Sequence, residues 1–160
     1  MRIGLGYDSH RFAEGDGLMI GGVHVPFDQG VSAHSDGDVL LHALCDALLG
    51  ALSLGDIGQH FSDQDPQYAG ASSLMLLQQV LVKVRQRQYC LVNMDAVVIC
   101  EAPKLRPHID AIRCCIAKAL EVELQQISVK ATTNEKMGFI GREEGLAAQV
   151  VVMLKSESVE

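Results

Sequence analysis

The period of the apolar positions changes along the chain, and each change marks an element. Ile3, Leu5 and Tyr7 alternate with Gly4 and Gly6, a two-residue period that predicts a strand running from the N-terminus into Asp8-Ser9-His10. The glycines leave one face of that strand bare, which implies close approach of another backbone or of a ligand. Residues 18–26, with Gly21-Gly22 at their centre, predict a short hairpin, followed by a loop over 27–33. Leu40, Leu41, Leu44, Ala47, Leu48, Ala51 and Leu52 then recur at helical spacing, and Ser35 with Asp38 three residues on has the form of a capping box ahead of them. Residues 55–66 carry too many turn-formers for regular structure and are long for a connection, a sign of function. A second helix is expected over 72–88, a buried strand over 92–100 and a loop over 101–104. Pro107 suits the first turn of a third helix carrying Ile109, Ile112, Ile116 and Leu120. Strands over 127–131 and 146–154 flank a polar, glycine-bearing loop over 132–142. No repeat or composition break divides the chain, so one α+β domain over 1–160 is expected, a mixed sheet with helices packed on one face.

The central helix carries an unusual insertion. Asp38, His42 and Asp46 lie four apart and form a polar stripe on an otherwise apolar element, either a solvated face or a functional one. In an extended strand Asp8 and His10 share a face about 6.6–6.8 Å apart along the chain, close enough to converge on one ion. With His42 they would make a His/His/Asp set suited to zinc, with a fourth position left open; an ordinary turn at Asp8-x-His10 is the competing reading. Thr132 and Thr133 offer hydroxyls and amides suited to phosphate oxygens, or simply finish a strand. Glu135 is a hard carboxylate suited to Mg²⁺, or a partner for Lys136. Lys104 and Arg142 are the cations available to balance remaining charge, whereas His24, His60 and His108 read as structural or surface residues.

A net charge of −7 argues against a non-specific nucleic-acid binder and leaves room for an anionic small molecule held by metals and backbone amides. Five cysteines, most within apolar runs and none in a Cys-x-x-Cys pair, suggest reduced, buried thiols. With no apolar leader at the start and no apolar run of about 18 residues, a cytoplasmic protein without a membrane span is expected.

Taken together, Asp8-x-His10, His34-Ser-Asp-Gly-Asp38 with His42, Gly55-Asp-Ile-Gly58, Ala102-Pro-Lys104 and Thr132-Thr-x-Glu135 followed by Gly138-Phe139 and Gly141-Arg142 resemble the 2-C-methyl-D-erythritol 2,4-cyclodiphosphate synthase family. The resemblance runs in order along essentially the whole chain. It implies zinc bound by Asp8, His10 and His42, and a second divalent ion, Mg²⁺ or Mn²⁺, held by Glu135 and the substrate phosphates. It assigns His34 and Thr133 to transition-state stabilisation. Ser9 and Ser35 are implied beside the metal ligands as substrate contacts. Asp56, Ile57 and Gly58, with Phe61, Ser62, Asp63, Gln64 and Asp65, are implied to contact the methylerythritol 2-phosphate. Cys100, Glu101, Ala102, Pro103, Lys104, Leu105 and Arg106, with Ala131, Thr132 and Thr133, are implied to surround the cytidine and its phosphate, and Asn134 is implied as a further substrate contact. Phe139 and Arg142 complete the implied set.

The reaction implied is intramolecular. The 2-phosphate of 4-diphosphocytidyl-2-C-methyl-D-erythritol 2-phosphate attacks the β-phosphorus, expels CMP and closes a cyclic diphosphate in non-mevalonate isoprenoid precursor biosynthesis. The nucleophile is already an anion, which fits the lack of a conspicuous general base. A cytoplasmic homotrimer with sites between subunits is implied, Ile3, Leu5, Tyr7 and Phe139 facing its axis, Arg142 and Glu144 closing one end, and an isoprenoid diphosphate as a possible axial ligand. Tyr7 and Glu101 depart from the Phe and Gln expected of the family, affecting the axial cavity and the nucleotide loop respectively. Asp46 is expected close enough to act on His42 from outside the ligand set. Two other readings stay open: a zinc-dependent phosphohydrolase, with the Asp38/Asp46 stripe orienting a water, and a non-catalytic zinc-binding trimeric scaffold.

Overall fold

Two glycines decide how the first strand meets the central helix. In the computed structural model, which describes residues 1–62 and 70–157, strand β1 (Arg2–Ala13) lies under helix α1 (Val39–Ala51). A Cβ on Gly4 would sit 1.8 Å from the Ala47 carbonyl oxygen, and one on Gly6 would sit 1.8 Å from that of Ala43. Only a strand without side chains at these positions admits the helix backbone so closely. The bare face read from the sequence is therefore filled by backbone.

The other elements follow in the expected order. Strands β2 (Leu18–Ile20) and β3 (Val23–Val25) form the hairpin, turning through Gly21 and Gly22 at φ 60° and 78°. Both values lie in the left-handed region that such a two-residue turn requires. The 27–33 loop contains a two-residue strand, β4 (Gly30–Val31), that pairs with the end of β1. Then come α2 (Ile57–His60), α3 (Ser73–Gln86), β5 (Tyr89–Ile99), α4 (Ile109–Leu120), β6 (Ile127–Thr132), α5 (Gly138–Gly141) and β7 (Gly145–Ser156). Two short helices thus stand where loops were expected. Asp56 caps α2 by accepting from the Gln59 amide at 3.0 Å.

The main sheet has the order β4-β1-β7-β5-β6, with β5 and β6 parallel and the other pairs antiparallel. Gly6 pairs with Val150, Val150 with Ala96, and Ala96 with Val129, so one face of the pleat is buried across four strands. Helices α1, α3 and α4 pack on that face. The opposite face leaves Ile3, Leu5, Tyr7 and Val151 exposed. Among the described residues no helix is long and apolar enough to cross a membrane.

Helix α1 is buried nearly all round, with ten of its thirteen residues inaccessible. It does not begin on a Ser35 cap. Asp38, extended at φ −72° and ψ 91°, is the N-cap, and its carboxylate accepts from the Leu41 amide at 3.0 Å. The same carboxylate accepts from the amides of Gly21 at 2.9 Å and Gly22 at 2.7 Å, which ties the hairpin turn to the helix start. Asp38 is fully buried, so the Asp38/His42/Asp46 stripe is not a solvated face. Burial pushes its carboxyl pKa up, while the three N–H groups pull it back.

Replacing Asp38 by Ala would strand three amides that now share one acceptor group. At about 1–3 kcal/mol for an unsatisfied buried group, Asp38→Ala is expected to lose about 3 kcal/mol or more of stability by urea unfolding. Asp38→Asn, which keeps an acceptor oxygen, should lose less.

Candidate metal centre

The pleat of β1 puts Asp8 and His10 on the same face as Gly4 and Gly6, beyond the point where the helix backbone touches the strand. One turn after its cap, α1 delivers His42 to that point. His42 Nδ1 lies 3.0 Å from Asp8 Oδ2, His10 Nε2 lies 3.2 Å from the same oxygen, and the two nitrogens are 3.2 Å apart. A tetrahedral ion held at roughly 2.0–2.1 Å keeps its ligand atoms about 3.3 Å apart. Two imidazole nitrogens and one carboxylate oxygen therefore stand almost at the spacing of one face of such a polyhedron. Among the described residues this is the one group of three or more metal-ligating side chains converging on a point.

Burial lowers the His10 pKa below 6.5 against the pull of Asp8. Burial also opposes protonation of His42, but there the hydrogen bond and charge of Asp8 outweigh it and the pKa lies above 6.5.

The far side of His42 is fixed as well. Its Nε2 is 2.9 Å from Ser73 Oγ and 3.1 Å from Ser35 Oγ. The Ser73 hydroxyl in turn contacts Asp36 Oδ1, and the Ser73 amide donates to Asp36 Oδ2 at 2.9 Å. Ser35, expected to cap the helix, instead accepts from the Gly37 amide at 3.2 Å and faces the histidine.

A cavity of about 320 Å³ opens beside the cluster, lined by His10, His34, Ser35, His42, Ile57, Gly58, Phe61 and Ser62, with Ala33 and Leu76. Most of the residues assigned to the metal and to the methylerythritol 2-phosphate thus stand together; Ser9, exposed, belongs to a neighbouring hollow with Phe139. Asp63, Gln64 and Asp65 lie outside the described residues. Asp46 has a task besides the expected one of acting on His42. Its Oδ1 accepts from the Ile57 amide at 2.7 Å, so it holds the Asp56–Gly58 segment at the rim while acting on His42 only by charge.

A second surface forms where the parallel strands β5 and β6 end side by side. The Cys100 amide donates to the Thr132 carbonyl at 3.0 Å. Arg106 and Ala131 line a cavity of about 450 Å³ there with Ile109, Asp110, Val129 and Lys130. Lys104, Thr132 and Thr133 are exposed, and Leu105 is buried. Glu101 is not a free negative charge. Its Oε1 accepts from the amides of Asn134 at 2.9 Å and Lys136 at 3.2 Å and so shapes the turn that carries Glu135. Glu135 is exposed on that turn at φ 50°, with Thr133 Oγ1 3.5 Å away, and does not join the Asp8 cluster. Ala102-Pro103 is a cis peptide. Arg142 Nε pairs with Glu144 Oε1 at 2.7 Å on the exposed surface. Among the described residues none lines both cavities.

Burial pushes the Cys100 thiol up to about 11 and Cys45 higher still, so neither is a nucleophile at neutral pH. All five cysteines are free.

A mixed sheet covered by helices on one face, with an Asp-x-His strand facing a helix histidine, is the architecture of a metal-site α+β domain, and the chain belongs to the YgbB family, which matches over residues 1–155. It is 58% identical to the 2-C-methyl-D-erythritol 2,4-cyclodiphosphate synthase of Stutzerimonas stutzeri over 154 residues, 96% of this chain and 98% of that one. Among solved structures it resembles the bifunctional IspDF of Campylobacter jejuni, with a TM-score of 0.93 and 45% identity over 97% of this chain and 42% of the longer one. It also resembles a CDP-bound 2C-methyl-D-erythritol-2,4-cyclodiphosphate synthase, with a TM-score of 0.89 and 37% identity over 96% of this chain and the whole of that one.

Ser73 and Asp36 had no part in the site read from the sequence. Ser72-Ser73 at a helix start reads as a cap, yet only one serine can be the N-cap. The pairing of two serines was the available signal that the second has another use.

Asp46→Ala would release the Ile57 amide from a charge-assisted bond worth about 1.5–3 kcal/mol. Hydrogen exchange at Ile57 is expected to speed up by roughly tenfold or more, with little change in the α1 core. Unchanged exchange would mean that Asp46 does not hold the rim.

Proposed function

We propose that this chain converts 4-diphosphocytidyl-2-C-methyl-D-erythritol 2-phosphate to 2-C-methyl-D-erythritol 2,4-cyclodiphosphate and CMP, as a phosphorus–oxygen lyase of isoprenoid precursor biosynthesis acting in the cytoplasm. The observation that carries the reading is the Asp8/His10/His42 cluster at the mouth of a cavity, in a chain 58% identical to a named synthase of this reaction. Asp8, His10 and His42 are the ligands we assign to Zn²⁺, and Glu135 is the protein ligand we assign to Mg²⁺ or Mn²⁺. When bound, these cations screen the repulsion between the attacking phosphate and the diphosphate.

The remaining work falls to the chain. An oxygen of the 2-phosphate forms the new bond to the β-phosphorus, and the bond to the α-phosphate oxygen breaks, its electron pair leaving with CMP. No proton has to be removed from the nucleophile. The protein's part is therefore alignment and charge stabilisation. His34 at the cavity rim and Thr133 at the end of β6 are the groups we assign to the transition state. Asp56, Ile57 and Gly58, held by Asp46, bind the methylerythritol part together with Phe61 and the 62–65 segment. The 100–106 and 131–135 segments take the cytidine and its phosphate, the counterpart of the CDP in the name of the solved relative.

A water-activating phosphohydrolase gains no support from the aspartates invoked for it. Asp38 is fully buried on three amides and is not available to orient an attacking water, and Asp46 commits one oxygen to the Ile57 amide at the rim. The reading extends to assembly. Among the described residues the metal cavity and the nucleotide surface share no lining residue, and an apolar sheet face is uncovered. A C3 trimer, with the nucleotide segments of one chain facing the metal cluster of the next, joins the two halves. Ile3, Leu5, Tyr7 and Phe139 then line the axis, with Arg142 and Glu144 at one end, a cavity for an isoprenoid diphosphate that the Tyr7 hydroxyl makes more polar.

One experiment tests reaction and assembly together. His42→Ala and Lys104→Ala chains, each inactive alone, are mixed under subunit exchange, and the products are read by phosphorus NMR. Recovered CMP and cyclic diphosphate are expected, because some interfaces receive both intact halves. Opened phosphates from the wild-type chain would overturn the reaction. No recovery in demonstrated mixed trimers would overturn the shared site.

A further inference from the structure

We propose that Ser73 and Asp36 are positioning residues that fix which nitrogen of His42 faces the metal, an inference that rests on Asp8, His10 and His42 being the metal ligands. A neutral imidazole has one N–H and one lone pair, and a ligand histidine must turn its lone pair to the ion. In this chain the choice is imposed from α3, a different element from either that carries the ligands.

The hydrogen-bond directions follow from donor counting. Asp36 Oδ1 offers only acceptor capacity to the Ser73 hydroxyl in contact with it, so the hydroxyl hydrogen is committed to Asp36. Ser73 is fully buried. What Ser73 Oγ presents to His42 Nε2 at 2.9 Å is therefore a lone pair, and it requires a hydrogen on Nε2. Ser35 Oγ, 3.1 Å from the same nitrogen and already accepting from the Gly37 amide, is compatible with a shared bond. With Nε2 protonated, the lone pair of the neutral ring stays on Nδ1, the atom that faces Asp8 and His10.

Asp36 is itself held in place. Its second carboxylate oxygen accepts from the Ser73 amide at 2.9 Å, and its own amide donates to the Ala71 carbonyl at 3.2 Å. The start of α3 and the His34–Asp38 turn are thereby joined on the side of His42 away from the metal ligands. Ser72, the N-cap of the same helix, makes no side-chain cap bond and serves as the internal control. Outer partners of ligand histidines tune metal affinity by about 10–100-fold in general.

The test is zinc affinity of the full chain by chelator competition, with proton NMR of the Co²⁺-loaded protein as a second readout. Ser73→Ala is expected to weaken zinc binding by about 10–100-fold, and Ser72→Ala to leave it unchanged. Asp36→Asn, whose amide hydrogens can free the Ser73 hydroxyl to turn toward His42, should also weaken binding. In the wild-type Co²⁺ protein the His42 Nε2–H should give a paramagnetically shifted signal that exchanges slowly with solvent, and Asp36→Asn should make that exchange faster. Wild-type affinity in both Ser73→Ala and Asp36→Asn, or a rapidly exchanging His42 signal in the wild type, would overturn the proposal. If Ser73→Ala does not fold, Asp36→Asn and the wild-type spectrum decide. A wild-type chain that takes up neither Zn²⁺ nor Co²⁺ would instead overturn the metal site itself.

Discussion

The contact between the α1 backbone and the bare face of β1 is what the rest of the structure depends on. Carbonyl oxygens of Ala43 and Ala47 occupy the space that side chains at Gly6 and Gly4 would need. The alanines keep the helix side of the contact thin, so two backbones meet almost without intervening side chains. One residue before Ala43, the same helix presents His42, and two residues beyond Gly6 the same strand presents Asp8. The ligand spacing is thus inherited from the packing: the distance between helix and strand sets the distance between His42 and Asp8.

Polar groups then hold this contact in register. The Asp38 carboxylate fixes the start of α1 against the hairpin turn, and Asp46 fixes the 56–58 segment one turn beyond His42. The stripe of Asp38, His42 and Asp46 therefore divides its labour along one helix: an anchor, a ligand and a rim support. Around the ligand, Ser35, Asp36 and Ser73 close the far side. The second surface, proposed for the nucleotide, is built on another principle, the adjacent ends of two parallel strands, with Glu101 gathering the amides of the turn after β6. The two surfaces are built from separate parts of the chain.

Much of this was legible in the sequence because it follows from periodicity. The Gly4/Gly6 alternation announced a close approach, Gly21-Gly22 a turn, and the Leu/Ala run a buried helix; Asp8, His10 and His42 follow from the faces of a strand and a helix. What escaped was decided by contacts between distant residues. Ser35 and Asp38 both read as helix caps; the structure uses Asp38, whose carboxylate accepts from the Leu41 amide and also from the Gly21 and Gly22 amides, 17 and 16 residues away. Ser73 meets His42 across 31 residues, and Glu101 meets Asn134 across 33. The short helices α2 and α5, at four residues each, are below the length at which an apolar period can be read.

The central claim, that a side-chain-free contact between strand and helix assembles the metal centre, is tested most directly by measuring zinc affinity after Gly6→Ala. The added Cβ would fall 1.8 Å from the Ala43 carbonyl oxygen, so α1 must move away from β1 and carry His42 with it. The control is Gly50→Ala on the same helix, where the nearest atom to an added Cβ is 3.9 Å away. A folded Gly6→Ala protein with zinc binding weakened by roughly tenfold or more, beside an unaffected Gly50→Ala, is the predicted result. Wild-type zinc affinity in Gly6→Ala would contradict the account.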